Sequence, residues 1–306
     1  MSAWLRTTRT RLLGLRTRLG VALFVVVLAF FSLFVGCALS DGAGEYGTVR
    51  VAAIQFHSVM GDPAGNRTRL AALVEEAAAN GARIVVLPEA AVPGYADLTR
   101  DVFWSDAAGP DFLDVAAVAE TFPGPSAEFF SPIADRLDLY LTVPFIEREG
   151  KRFYNAVALL GPDGTVRALY RKQHPWPVAD ASWATAGPKR ACVVDTEYGR
   201  LGLMICYDVH GVLPMLGEAG ADIVLHPVAW FGPNSGNWFE TVLARRVAKQ
   251  KTSLILANWT FPENPGWSGH GHSLIIGPDG TVLSRASKGL GNEIVYASVP
   301  RGRPRE

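Results

Sequence analysis

The stretch "GRLGLMICYDVHGVLP", Gly199 to Pro214, decides how the rest of the chain is read. Its apolar run, Leu201 to Ile205, does not alternate with polar residues, as in a strand buried on both faces of an α/β sheet. The run stops at Cys206; Asp208 follows two residues later, and Gly211 and Pro214 then interrupt the chain. A buried free cysteine is ordinarily a small hydrophobe. The carboxyl ends of strands in α/β sheets, however, are where chemistry is placed. On position alone Cys206 is either core packing or a nucleophile.

The neighbouring segments give the strand its context. Upstream, "ACVVDT" (191–196) and the turn "EYGR" predict an antiparallel hairpin with it. With its turn near Tyr198, Cys192 would oppose Met204 and have Cys206 as its diagonal neighbour. Diagonal Cβ atoms lie roughly 7–8 Å apart and a disulfide needs about 3.8 Å, so the two thiols are expected to stay unbridged. Downstream, "ADIVLHPVAW" (221–230), the helical "WFETVLARRVAKQ" (238–250) and "SLILANW" (253–259) form a strand–helix–strand unit. The same theme occurs near the start. "VRVAAIQF" (49–56) is a strand, 61–81 a helix with Leu70, Leu73, Val74, Ala77 and Ala78 on one face and Gly81 as its stop, and "ARIVVLPE" (82–89) a strand. "LYLTVPF", "FYNAVALL" and "VRALYRK" add three more strands. GPDGTV occurs twice, at Gly161–Val166 and Gly277–Val282, each time between apolar strands. Pro-Asp-Gly is good turn chemistry, so the repeat reads either as two convergent turns or as two comparable sheets with equivalent hairpins.

Three further strands end on charged residues: Glu89, Lys172 and Glu147. Each alone reads as solvated; with Cys206 they supply a nucleophile, a base and a cation. A thiol needs a base to become a nucleophile, and none of the six histidines lies in a Cys–His motif. A desolvated carboxylate can take that role, because burial raises its pKa, and a lysine can stabilise the oxyanion of a tetrahedral intermediate.

Five blocks in order, "VRVAAIQFHSVMGDPAGN", "IVVLPEAAVPGY", "YNAVALLGPDGTVRALYRK", "GRLGLMICYDV" and "GHSLIIGPDGTVL", resemble the nitrilase, or carbon–nitrogen hydrolase, superfamily. The resemblance implies a four-layer αββα sandwich, commonly dimerised or further assembled. It implies Glu89 as general base, Lys172 as oxyanion stabiliser and Cys206 as nucleophile, with the Tyr207 N–H as second oxyanion donor. Glu147, with Glu149 two residues away, resembles the second glutamate that orients substrate and lysine. Hydrolysis would pass through a thioester, with no metal or organic cofactor. Cys206-Tyr207-Asp208 is similar to the amidase and carbamoylase branches, whereas nitrilases usually carry Cys-Trp-Glu, so the substrate expected is an amide. "HPVAWFG" and the leader are similar to the vanin and biotinidase branch. "KQHPWPVADASW" (172–183) departs from the usual apolar stretch, leaving His174, Trp176 and Trp183 as either pocket or packing residues. Tyr95 and Trp230 are further pocket candidates. Acyl transfer from the same intermediate, or a silent membrane-anchored binding or sensor protein, are the alternative functions.

The N-terminus points to a membrane. Arg6, Arg9, Arg11, Arg16 and Arg18 precede an uncharged run, Leu19 to Leu39, and no acidic residue occurs before Asp41. At ~1.5 Å per residue that run matches a bilayer core, and the basic flank should stay cytoplasmic. It reads as an anchor helix or a signal; "FVGC" makes Cys37 a lipidation candidate, and cleavage would give a secreted protein. The chain therefore divides into a leader (1–40), a linker (41–47), the hydrolase domain (48–300) and a tail (301–306), with the catalytic domain expected outside the cytoplasm. With 29 basic and 29 acidic residues among 306, bulk charge favours no nucleic-acid partner. Three cysteines make no disulfide scaffold, and His270 and His272 without a carboxylate make no zinc signature.

Overall fold

In the computed structural model, the described residues are 45–95, 114–177, 179–230, 235–260, 271–287 and 291–304. The leader with Cys37 lies outside them, as does His270. Among the described residues no helix is long and apolar enough to cross a membrane.

Among the described residues, twelve strands form two six-stranded sheets. The first contains β1 (Thr48–Gln55), β2 (Ile84–Val86), β3 (Tyr140–Glu149), β4 (Arg152–Leu160), β5 (Val166–Arg171) and β12 (Glu293–Pro300), in the order β12-β1-β2-β3-β4-β5. The second contains β6 (Cys192–Thr196), β7 (Gly199–Leu203), β8 (Ile223–Val228), β9 (Ser253–Asn258), β10 (Leu274–Ile276) and β11 (Val282–Arg285), in the order β11-β10-β9-β8-β7-β6. β1, β2 and β3 run parallel, as do β7, β8 and β9; the remaining pairs in both sheets are antiparallel. The two sheets therefore share one plan, and the repeated GPDGTV occupies the same place in each. Gly161 and Gly277 each donate to a threonine carbonyl four residues on, at 2.8 Å, and accept from the glycine three residues on at 2.9 Å. Both hairpins also carry a register shift.

Period-two burial builds the layers. Along β1, Val49, Val51 and Ala53 face the second sheet's core, while Ala52 and Ile54 join the cluster holding Leu70, Val74 and Ala77 of α1 (Pro63–Ala79). Asp62 caps α1 by accepting from the Gly65 N–H at 2.9 Å, and the chain leaves it through Gly81 at φ +85°. Beyond a single turn, α2 (Val115–Val118), lies α3 (Pro125–Leu137), which also covers the first sheet and carries Pro132 within it. The helix runs through the proline because Ala127, Phe130 and Ala134 bury its other face. On the second sheet lie α4 (Val212–Glu218), α5 (Ser235–Trp238) and α6 (Ala244–Gln250), the last two joined by a π-turn at Phe239–Leu243. Val212, Leu213, Leu216, Phe239, Leu243 and Val247 pack there. Helices thus cover the outer face of each sheet, in an αββα order.

Two local expectations change. Gly211 and Pro214 do not break the chain but open α4. The β6–β7 hairpin closes on Thr196 and Gly199, so Cys192 opposes Leu203 rather than Met204. That one-residue difference takes Cys206 off the diagonal and beyond the end of β7. Cys192 and Cys206 are both free thiols.

Candidate active site

Glu89 follows the carboxyl end of β2, Cys206 that of β7, and Ala229 that of β8, all parallel strands; Lys172 follows β5. The shared plan of the sheets makes the ends of β2 and β8 equivalent, and they clasp each other. The Ala229 N–H donates to Glu89 Oε2 at 2.8 Å, and the Glu89 N–H to the Val228 carbonyl at 3.3 Å. Lys172 Nζ donates to Glu89 Oε1 at 2.7 Å and to Asp180 Oδ2 at 2.8 Å. Asn155 Nδ2 bridges the same two carboxylates, at 2.7 Å to Glu89 and 3.1 Å to Asp180. Cys206 is buried beside Glu89 and Lys172, close enough for both charges to act on its thiol. The structure thus brings together Glu89, Lys172 and Cys206, and adds Asp180 and Asn155.

All of these groups are buried, and the electrostatics follow. Burial pushes the Cys206 thiol well up, Glu89 adds to the rise, and Lys172 opposes it. Burial also raises Glu89 above the usual carboxylate range, against the pull of Lys172. For Lys172, burial works downward, but the carboxylates of Glu89 and Asp180 overcome it and keep the ammonium charged. A lysine ammonium has three N–H donors; two meet carboxylates, which leaves one for a substrate oxygen.

Cys206 adopts φ +44°, a left-handed conformation that costs a non-glycine residue about 1–3 kcal/mol. Its turn, Cys206–His210, is anchored by Asp208, which explains the acidic residue two positions on. Asp208 is fully buried and accepts from the Ile205 N–H at 3.2 Å, the Gln173 N–H at 3.1 Å, the His174 N–H at 2.8 Å and the Tyr170 hydroxyl at 2.7 Å. One carboxylate therefore ties the residues after Lys172 to those around Cys206. His174 Nδ1 joins it at 2.9 Å, and its ring fits because Gly211 has no side chain: a Cβ there would lie 2.9 Å from His174 Cε1. From below, His226 Nε2 donates to the Cys206 carbonyl at 3.1 Å.

A cavity of about 200 Å³ opens at the thiol, lined by Trp176, Tyr207, His210, Trp230 and Trp238. Of the pocket candidates Trp176 and Trp230 line it, as does Tyr207. His174 instead holds Asp208, and Tyr95 is buried with its hydroxyl donating to Asp180 Oδ1 at 3.3 Å. Trp183 packs against the separate cluster of Val115 and Ile146. His210 and Trp238 were not anticipated, because helical and turn residues join the cavity only once β7 and β8 are paired.

Glu147 requires a correction. In the β3–β4–β5 register, Ile146, Asn155 and Lys172 share the face toward the second sheet, while Glu147, Tyr154 and Arg171 point the other way. Glu147 accordingly pairs with Arg171, at 2.7 Å to Nε and 2.5 Å to Nη2, and Glu149 joins the same guanidinium at 2.8 Å. The carboxylate beside Lys172 is Asp180. Its signal was available: it is the only acidic residue in "KQHPWPVADASW". Among the described residues no cluster of three or more His, Cys, Asp or Glu side chains could hold a metal ion.

The model of the carbon–nitrogen hydrolase family matches residues 50–306. Omega-amidase NIT2 of Danio rerio is 29% identical over 260 residues, covering 82% of this chain and 87% of its own. Among solved structures, Saccharomyces cerevisiae Nit3, a member of the nitrilase superfamily, superposes with a TM-score of 0.69 at 23% identity, over 84% of this chain and 92% of its own. An amidase variant from Nesterenkonia sp. AN1, with acrylamide added at its active-site cysteine, superposes with a TM-score of 0.68 at 22% identity, over 82% and 93%.

Proposed function

The chain belongs to the carbon–nitrogen hydrolase family, and we propose that it hydrolyses a non-peptide amide through a thioester on Cys206. The observation that carries this reading is the buried Lys172 ammonium held between Glu89 and Asp180, with the Cys206 thiol buried within reach of both charges of the Lys172–Glu89 pair. Such a set has a chemical use only if the thiol reacts. Similarity to an omega-amidase and to amidases supports an amide as the substrate.

Glu89 takes the thiol proton as Sγ attacks the amide carbon. The developing oxyanion lies against the third N–H of Lys172 and the backbone N–H of Tyr207. Glu89 then returns the proton to the departing amine, the C–N bond breaks and the thioester remains. A water, deprotonated by Glu89, attacks the thioester; the carboxylic acid leaves and the thiol is restored. The resting thiol keeps its proton until substrate arrives, because burial disfavours the thiolate.

For the leader we propose a membrane-directed role with the catalytic domain outside the cytoplasm, supported by the arginine flank and the uncharged run Leu19–Leu39. The test of the activity is mass spectrometry of the full-length protein quenched during turnover of an amide panel. A mass increment on the Cys206 peptide equal to the acyl group, absent from Cys206→Ala, is expected. Amide turnover that persists in Cys206→Ala would overturn the reading.

A further inference from the structure

The cavity wall at Cys206 is built from rings. Trp230 and Trp238 stack with centroids 4.7 Å apart and planes inclined by 28°. His210 lies 5.8 Å from Trp238 and 4.8 Å from Tyr207, centroid to centroid. Trp176 and Ala229 complete the lining. Among the described residues that line the cavity, no carboxylate, lysine or arginine is present.

Behind the ring wall stands a cation, Arg246, that is already engaged. Arg246 lies 5.5 Å from the Trp238 ring centroid, and its Nη1 donates to His210 Nδ1 at 3.1 Å. A guanidinium can only donate, so His210 Nδ1 is an acceptor and the ring is the neutral tautomer with its proton on Nε2. The wall thus presents neutral rings whose polar edges are the His210 Nε2–H, the tryptophan indole N–H groups and the Tyr207 hydroxyl. A substrate cation would meet Arg246 behind Trp238, and among the described residues lining the cavity no carboxylate offsets it, despite the attraction that aromatic boxes hold for ammonium groups. A substrate carboxylate would be desolvated against rings with no guanidinium fork in the lining.

The two sides of the scissile bond differ in room. Glu89, which protonates the leaving amine, is 2% exposed and does not line the cavity. The acyl group, which must stay on Cys206 until water arrives, faces the ring-lined space. A cavity of about 150 Å³ lined by apolar side chains suffices for benzene, so about 200 Å³ holds one ring.

Resting on the amidase reading above, we infer that this site takes the primary amide of an uncharged acid with a planar, aromatic acyl group, Trp230 and Trp238 setting that preference, and releases ammonia. Aromatic rings pack offset or edge-on against such a wall and gain beyond simple burial.

The test compares phenylacetamide with butyramide, succinamate (a monoamide of a dicarboxylic acid) and a trimethylammonium-bearing amide, reading ammonia release as kcat/KM. A preference for phenylacetamide of about tenfold or more over each is expected, which corresponds to about 1.4 kcal/mol. Trp238→Leu should shrink the phenylacetamide-to-butyramide ratio severalfold, and Trp238→Phe should largely keep it. Preference for succinamate, the cationic amide or butyramide would overturn the ring-slot inference and leave the amidase reading standing. Should no amide be turned over, the amidase reading fails. The slot is then read by titrating Cys206→Ala with the same four compounds, where tightest binding of phenylacetamide supports it and any other order overturns it.

Discussion

Lys172 Nζ lies 2.8 Å from Asp180 Oδ2, nearly as close as it lies to Glu89 Oε1, and all three side chains are removed from solvent. A single buried pair would let Lys172 pass its proton to Glu89 and become neutral. A second carboxylate opposes that transfer, and Asn155, bonded to both, fixes their spacing. Asp180→Asn should therefore weaken oxyanion stabilisation, lowering kcat by about 10²-fold or more. Pre-steady-state measurement of thioester formation checks this; an unchanged rate would remove Asp180 from the charge balance.

The acid and the thiol give a second prediction. Glu89→Gln keeps shape but cannot accept the thiol proton, so thioester formation should become undetectable. In the parent protein Glu89 works only when ionised, and burial raises its pKa. The acid limb of kcat/KM should accordingly fall away at a higher pH than an ordinary glutamate would give. Cys192→Ala, a change at a partly buried thiol outside the cluster, should leave turnover near the parent level. Equal losses in Cys192→Ala and Cys206→Ala would contradict the assignment of the nucleophile.

Glu147 separates sequence position from chemistry. Its carboxylate holds the Arg171 guanidinium, which also lies 4.0 Å from the Tyr154 ring centroid. Glu147→Gln should lower the melting temperature, because a mostly buried ion pair loses one partner. Thioester formation by the folded variant should stay within about threefold of the parent. A hundredfold loss at unchanged melting temperature would return Glu147 to the reacting centre.

Much of this site was legible because strand ends are. Glu89, Lys172 and Cys206 each close an apolar run, and a parallel sheet gathers such ends along one edge. Asp180 was legible only as the one acidic residue of its segment; where it points depends on contacts such as Asn155 and the Trp176 N–H rather than on periodicity. Glu147 misled for a physical reason: a strand alternates its faces, and only the register with Asn155 and Lys172 shows which face carries the chemistry. The doubled GPDGTV and the strand–helix–strand theme in each half were the signs in the sequence that two sheets share a plan. The register of β6 on β7 was misjudged by one residue because the EYGR turn permits either centre.

The leader supplies a fourth prediction. Full-length protein should fractionate with membranes and resist extraction by salt, whereas a chain beginning near residue 44 should be recovered in the soluble fraction. Cys37→Ser should abolish lipid labelling if the leader is a lipoprotein signal. Full-length protein that stays soluble would remove both the anchor and the lipoprotein reading.

The last prediction concerns the floor beneath the nucleophile. His226 is fully buried, its Nε2–H donates to the Cys206 carbonyl at 3.1 Å, and its Nδ1 meets no hydrogen-bond partner among the described residues. Burial lowers its pKa from 6.5 to about 3, the Cys206 carbonyl opposing that fall and Lys172 and His210 adding to it. Between those two values the unfolded chain binds a proton that the folded chain refuses. Stability should therefore fall as the pH drops through the unfolded value near 6.5 toward 3, by at most about 1.4 kcal/mol per pH unit from this group. His226→Gln keeps a donor near the Nε2 position and removes the titration, so its melting temperature should depend less steeply on pH between 6.5 and 4.5. Differential scanning calorimetry of both proteins across that range tests this, and identical slopes would mean that His226 does not carry the acid sensitivity of the Cys206 turn.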